Sequence, residues 1–237
     1  MKSREAAQTG LPLLRFGLGL DANGTLLRTV AQAHAPKDIL CLSDFGVSAP
    51  VSEETVRRLL EEARSYGGIL ADIERKNPHL DTFVQSIDQK CSEHKLPLFI
   101  PYAHCSNAPN AWPLVPGAAS GGSLQDELEY GMRLQKGRLA ASLQFVRRRF
   151  HLPASDPNGE EMTADELFTA QQQTGAHVFF SRELCLNYFT YMEGDTGVFV
   201  LFDTQETLQL RLELIQKTGV PYIFIEWEGC ESLFSRS

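Results

Sequence analysis

The sequence predicts an α/β fold of the (β/α) TIM-barrel type, incomplete or with one degenerate strand, as a single domain over residues 1–237. Three observations carry this expectation. Short apolar runs alternate with amphipathic helical stretches along the whole chain, the pattern that builds a parallel sheet covered by helices. The doubly wound alternative lacks its markers, because no GxGxxG follows an early strand and no GxxxxGK[ST] is present. The count of strong strands is about seven, against the eight of a complete barrel.

Leu11 to Leu20 (LPLLRFGLGL) reads as a buried strand stopped by the turn signal Asp21-Ala22-Asn23-Gly24. Thr25 to Ala35 reads as a short helix, and Asp38 to Phe45 (DILCLSDF) as the second strand. Ser52, followed by Glu53 and Glu54, marks a helix start: the hydroxyl caps free N–H groups and the acids suit the positive end of the helix dipole. That helix extends to Ser65, with Val56, Leu59, Leu60 and Ala63 on one face. It leads directly into Gly67 to Glu74, completing a strand–helix–strand unit. Pro78 to His94 is helical by period, with Leu80, Phe83, Val84 and Ile87 inward, and Leu96 to Tyr102 (LPLFIPY) is another strand. Between His104 and Gly122 only Trp112 to Val115 has strand character. Leu124 to Gln135 is a helix, Arg138 to Val146 a strand, and Thr163 to Thr174 a helix capped by Thr163 with Asp165 and Glu166 in its first turn. His177 to Phe180 is apolar. Tyr188 to Tyr191 and Val198 to Phe202 flank the short, glycine-bearing Glu193 to Gly197, which predicts a β-hairpin insertion near residues 188–202. Thr204 to Thr218 is a helix, and Tyr222 to Trp227 (YIFIEW) is the last core strand.

Composition narrows the partners. A formal net charge of −8 disfavours nucleic acid and anionic membranes, which both reward a basic surface. The local exception, Arg147-Arg148-Arg149 between Phe145 and Phe150, is read as a solvated loop in preference to an anion site. Five cysteines without CxxC spacing predict no disulfide framework and fit a reducing compartment. The six histidines form no metal motif, His104-Cys105 being poorly spaced for joint ligation, so no metal or cofactor is expected. The polar start from Met1 to Gly10, and an apolar segment interrupted by Arg15, give the expectation of a cytoplasmic protein, or of a spore-associated or exported one if a leader has been removed, with no run of spanning length. Oligomeric state has no sequence signal.

The stretch that carries chemistry is Gly67-Gly68-Ile69-Leu70-Ala71-Asp72-Ile73-Glu74. Alternate strand residues share a face, so Asp72 and Glu74 are expected to project together from a strand's C-terminal end. Two neighbouring carboxylates oppose each other's ionisation, leaving one able to hold a proton near neutral pH and act as an acid. The competing reading is a strand that runs out into solvent, where acids are common.

From Arg138 to Trp227 the order of features resembles the C-terminal part of glycoside hydrolase family 18, in particular the bacterial branch acting on spore or cell-wall peptidoglycan. The resemblance rests on the strand Leu139 to Val146, a loop with Leu152-Pro153 and Gly159, and Met162-Thr163-Ala164-Asp165-Glu166-Leu167. It continues through Asn187-Tyr188-Phe189-Thr190-Tyr191, a strand ending Phe202-Asp203, a helix, and a closing strand with Trp227. It implies that Gly67 to Glu74 stands for the family's DxxDxDxE motif on the fourth strand. Glu74 would then be the general acid, and Asp72 the residue that orients the substrate's 2-acetamido group so that its carbonyl attacks the anomeric carbon, the substrate-assisted route to retention. Trp227 would form the apolar floor of the pocket, and Tyr102, Tyr191 and Asp44 are further candidates for substrate contact at strand ends, as is His104. The motif's two outer aspartates are replaced by Gly67 and Leu70, and the sixth-strand tyrosine and aspartate are missing from Trp112 to Gly117.

These features support a hydrolase acting on β-linked N-acetylglucosamine glycans, peptidoglycan-like or chitin-like, with an oligosaccharide as partner. The alternative is a catalytically impaired relative that binds carbohydrate or serves as a structural module. A third arrangement pairs Glu74 with Glu226 or Glu228 as a nucleophile. It ranks below the others because strand alternation turns both away from the side that Trp227 takes.

Overall fold

The structure is a computed structural model that describes residues 2–28, 33–73, 75–118, 122–154, 156 and 158–234. The chain divides into two compact units, Met1–Val115 with Arg138–Ala140, and Pro116–Gly137 with Ala141–Ser237.

In the first unit, α1 (Lys2–Gln8) precedes β1 (Leu14–Leu20). The turn signal after β1 is realised as a hairpin: the Asp21 carboxylate accepts the N–H groups of Asn23 and Thr25, and Gly24 has a φ of 72°. The chain therefore returns as β2 (Leu26–Arg28), antiparallel to β1. This corrects the helix expected over Thr25 to Ala35, whose residues 29–32 lie outside the described residues. A tight hairpin decides the direction of the next residues locally, and the weak helical period beyond it does not compete.

β3 (Ile39–Asp44), β4 (Gly68–Asp72), β5 (Leu98–Pro101) and β6 (Trp112–Pro116) then run parallel to one another, β3 also being parallel to β1, in the order β2-β1-β3-β4-β5-β6. The connections are α2 (Glu53–Ala63), whose N-terminus is capped by Ser52, and α3 (Pro78–Glu93), capped by Asn77. Val56, Leu59, Leu60 and Ala63 of α2, and Leu80, Phe83, Val84 and Ile87 of α3, join Leu40, Leu42, Ile69, Ala71 and Ile73 in one core. Those are the helix faces that the apolar spacing predicts.

The opposite face of the sheet carries its own layer. Phe16, Cys41, Leu70, Phe99 and Trp112 are successive register partners across β1, β3, β4, β5 and β6. Side chains stacked across neighbouring strands in this way fill the interior of a (β/α) barrel. Next in register toward the strands' C-terminal ends come Gly19, Ser43 and Asp72.

The second unit contains α4 (Leu124–Leu134), β7 (Ala140–Leu143), α6 (Gln205–Lys217) and β13 (Tyr222–Ile225), the last adjacent to β7. It also holds a five-stranded antiparallel sheet, ordered β10-β11-β12-β8-β9, of β8 (Arg147–Leu152), β9 (Glu160–Glu161), β10 (Phe179–Ser181), β11 (Leu186–Glu193) and β12 (Thr196–Phe202). The expected hairpin is its centre, with Glu193 opposite Thr196 across Gly194 and Asp195. The helix α5 (Ala164–Thr174) has a complete capping box between Thr163 and Glu166. Arg147 to Arg149 form part of β8, correcting the loop reading: Arg148 and Arg149 lie opposite Glu161 and Glu160 of β9, and the Arg149 guanidinium donates to Glu160 at 2.8 Å. The charges of Arg148 and Arg149 are met within the sheet, and the Arg147 guanidinium lies 5.3 Å from the centre of the Phe145 ring.

The fold class is thus α/β, an incomplete barrel of the (β/α) type with an antiparallel insertion. Among the described residues its α/β sheet has eight strands, one of which, β2, is an antiparallel edge and takes no part in the β/α alternation. No helix among the described residues is long and apolar enough to cross a membrane.

Candidate functional site

β4 is short because its sequence makes it so. Gly67 donates its N–H to the Asp38 carbonyl at 2.8 Å, and a Cβ at that position would lie 2.9 Å from the Lys37 carbonyl oxygen. Only glycine tolerates that approach, so the motif's first aspartate has no room here. Ile69 and Ala71 point into the helix-covered core, while Leu70 and Asp72 take the other face. Leu70, in the place of the inner aspartate, is nearly buried, and Asp72 is exposed at the end of the strand. The Ile73 N–H then bonds back to the Ala71 carbonyl at 3.1 Å, which ends the extended run at Asp72. Glu74 lies outside the described residues.

The segment that follows is tied to its surroundings. Asn77 accepts N–H bonds from His79 and Leu80 and donates its own amide to the Val47 carbonyl. Arg75 lies 3.8 Å from the Asp44 carboxylate. Asp44 is on the helix side of β3 with Leu40 and Leu42, and its Oδ1 accepts N–H bonds from Gly46 and Val47, each at 2.9 Å. Asp44 fastens the loop after β3, and these bonds occupy one of its two carboxylate oxygens. Tyr102 follows Pro101 and opens a 3-10 turn, Tyr102–Asn107, half-buried at the C-terminal end of β5.

Cys41 stands one layer below Asp72 on the inner face. Burial first, and then the nearby Asp72 carboxylate, push its thiol up to about 12, against a lowering bond from Ser43. It is a packing cysteine. His104, a candidate for substrate contact on the sequence, is 1 % exposed, with neither ring nitrogen hydrogen-bonded and Nδ1 3.8 Å from Asp81, which accepts a bond from the Asn107 amide. No His/Cys/Asp/Glu group among the described residues could hold a metal ion.

In the second unit, Trp227 is half-buried and stacks on Phe234 with ring centroids 5.5 Å apart, its Nε1 buried without a hydrogen-bond partner. β13 stops at Ile225, so Glu226 and Trp227 lie just past the strand expected to contain them. Burial, then Glu161 and Glu228, raise the Glu226 carboxyl above its ordinary value. Tyr191 belongs to the sheet face under α5, packed with Phe189 at 6.1 Å and against the cluster of Met162, Val198 and Val200. Of the expected site residues, Asp44, Asp72 and Tyr102 therefore sit at C-terminal ends of the first unit's parallel strands, where (β/α) folds place their sites, and Trp227 and Tyr191 belong to the second unit.

Solved structures share this fold. A chitinase from Chromobacterium violaceum superposes with a TM-score of 0.64 at 12% identity, covering 100% of this chain and 95% of that one. The chain has a divergent fold like that of glycoside hydrolase family 18. The Bacillus megaterium spore cortex-lytic enzyme SleL aligns with a TM-score of 0.59 at 12% identity, over 94% of this chain and 66% of its own. A mutant class V chitinase from Nicotiana tobaccum, solved in complex with NAG4, gives 0.57 at 12% identity over 92% and 88%. No family model matches the sequence, and no curated protein matches it.

One residue at this end of the first unit has no counterpart in the sequence expectations. Phe45 directly follows β3 and is 53% exposed. Its signal was present but indirect: an aromatic one step past a strand end, with Gly19 on the neighbouring strand.

Proposed function

We propose that this chain is a glycoside hydrolase acting on β-linked N-acetylglucosamine glycans of the chitin or peptidoglycan type. The observation that carries the reading is the exposed carboxylate of Asp72, at the C-terminal end of β4 and directly above the inner layer, in a fold shared with chitinases and a cortex-lytic enzyme. In the reaction, Glu74 gives its proton to the glycosidic oxygen as that bond breaks, and the substrate's own acetamido oxygen forms a bond to the anomeric carbon. Asp72 holds the acetamido N–H during that attack. Water then opens the cyclic intermediate, losing its proton to Glu74, and the product keeps the starting configuration. Trp227 serves as an apolar contact for the sugar.

The second reading, a relative that binds such glycans without turning them over, is favoured by one observation. On the inner face of β4, Leu70 stands where the family motif carries its inner aspartate. Purified protein and its Glu74→Gln variant, assayed for release from N-acetylglucosamine oligomers, separate the two. Release by the wild type that the variant loses at unchanged melting temperature supports the hydrolase. Binding without release, lost in Trp227→Ala, supports the binding module, and absence of both overturns the glycan reading.

A further inference from the structure

We infer that the chain forms a two-fold dimer through one edge of its antiparallel sheet, β10 of one copy lying antiparallel to β10 of a second. The inference does not depend on the glycan reading.

The sheet order β10-β11-β12-β8-β9 leaves two edges, and no further strand pairs with either among the described residues. Their chemistry is opposite. β9 is Glu160–Glu161, both exposed, and acids on an edge strand discourage pairing with another chain. At the other edge, Val178, Phe179 and Phe180 follow one another, exposed by 40%, 54% and 45%. Neighbouring strand residues point to opposite faces, so apolar surface is open on both sides of this edge. Phe179 stacks on Tyr188 with ring centroids 5.6 Å apart. Phe180 is in register with Asn187 on the other face, the one on which Leu167 and Ala170 of α5 pack against Phe189, Val198 and Val200. Phe168 of α5 is exposed as well.

Charge selects the occupant. From Leu167 to Ser181 the chain has no Asp, Glu, Lys or Arg, in a sequence with 22% charged residues and a net charge of −8. Two copies of such a chain repel one another within the screening length of about 8–10 Å, so contact costs least where neither surface is charged. A β10 edge placed on the β9 edge of another copy would set phenylalanines against two glutamates and would continue without end. β10 on β10 sets apolar surface on apolar surface, and the two-fold axis closes the pair. The ladder gained is short, so the apolar side chains carry the contact and the dimer should dissociate on dilution.

Sedimentation equilibrium of the full chain over a dilution series tests this. The wild type should follow a monomer–dimer equilibrium, and Phe180→Lys, at an unchanged melting temperature, should weaken it at least about tenfold. Met192→Lys, at a more exposed apolar position toward the other end of β11, should leave it unchanged. Hydrogen exchange gives a second measure that needs no variant: amides within residues 178–180 should exchange faster on dilution, and those of β9 should not change. A wild type that stays monomeric, a dimer that Phe180→Lys leaves as tight as before, or exchange at 178–180 that ignores dilution overturns the inference. Complexes that keep growing with concentration also overturn it, because a two-fold contact closes. So does a monomer in which exchange at 178–180 slows only when the tetrasaccharide of β-linked N-acetylglucosamine is added, since the edge then belongs to a ligand site.

Discussion

Arg211 is fully buried, and its charge is met completely. It donates to both carboxylate oxygens of Asp203 and to the carbonyl oxygens of Gly117 and Gln144, while Asp203 also accepts from Thr207 Oγ1 and the Val146 N–H. Removing one member leaves the other charged and dry, so Arg211→Met should cost about 3–5 kcal/mol in urea unfolding, with much of it regained in Arg211→Met/Asp203→Leu. Asp38 makes a pH prediction. Burial works to raise its carboxyl, but N–H donors from Leu13 and Ala35 and the Arg15 guanidinium outweigh that and hold it below the ordinary value. A depressed folded value means stabilisation that is present above the unfolded value of about 3.9 and lost as pH falls through the folded one. Asp38→Asn should therefore be less stable at neutral pH, with a shallower loss of stability below pH 4, read from melting temperature against pH.

At the scale of elements, Asn77 has a double duty. Its carboxamide caps α3 and anchors the segment after Glu74 to the loop that carries Phe45. Asn77→Ala should cost about 1–2 kcal/mol in thermal unfolding, the upper range for a cap because a third bond goes with it. The helices from α2 onward were legible through their apolar period, with Ser52 and Thr163 capping as expected and Asn77 and Thr204 capping as well, whereas α1 at the polar start was not expected. The parallel strands were legible as apolar runs between those helices. What was misread had its cause at longer range. β2 exists through its pairing with β1, and β8 through its pairing with β12 and β9, neither of which leaves a local period in three residues or in an arginine run. The Arg211 network did leave a trace, since Asp203, Thr207 and Arg211 recur at the four-residue spacing of one helix face. Of the candidate residues, the place of Asp72 at the end of β4 was legible from strand alternation, whereas the bonds that Asp44 makes to the loop after β3 were not.

For the molecule as a whole, the cysteines report opening. Burial is the main cause that pushes the thiols of Cys41, Cys91 and Cys230 up to about 12, whereas Cys105 and Cys185 are half-buried. Native alkylation followed by mass spectrometry should modify Cys105 and Cys185 and spare the other three. In rising urea, Cys41 and Cys91 should become reactive at one concentration. Labelling of Cys41 first would show that the inner layer of the first unit opens apart from its helix-covered core.

The hairpin at the end of the first unit's sheet has a bearing on solubility. A parallel sheet that stops short of closure presents a row of unpaired backbone groups to any other extended chain. Here β2 covers the last three residues of β1, and Arg28 is engaged by Glu62 of α2. Among the described residues the edge left is β2 itself and Leu14 to Gly17 of β1, both short templates for a partner strand. Removing the return, by deleting residues 21–28, should raise the light scattered by the protein as it concentrates.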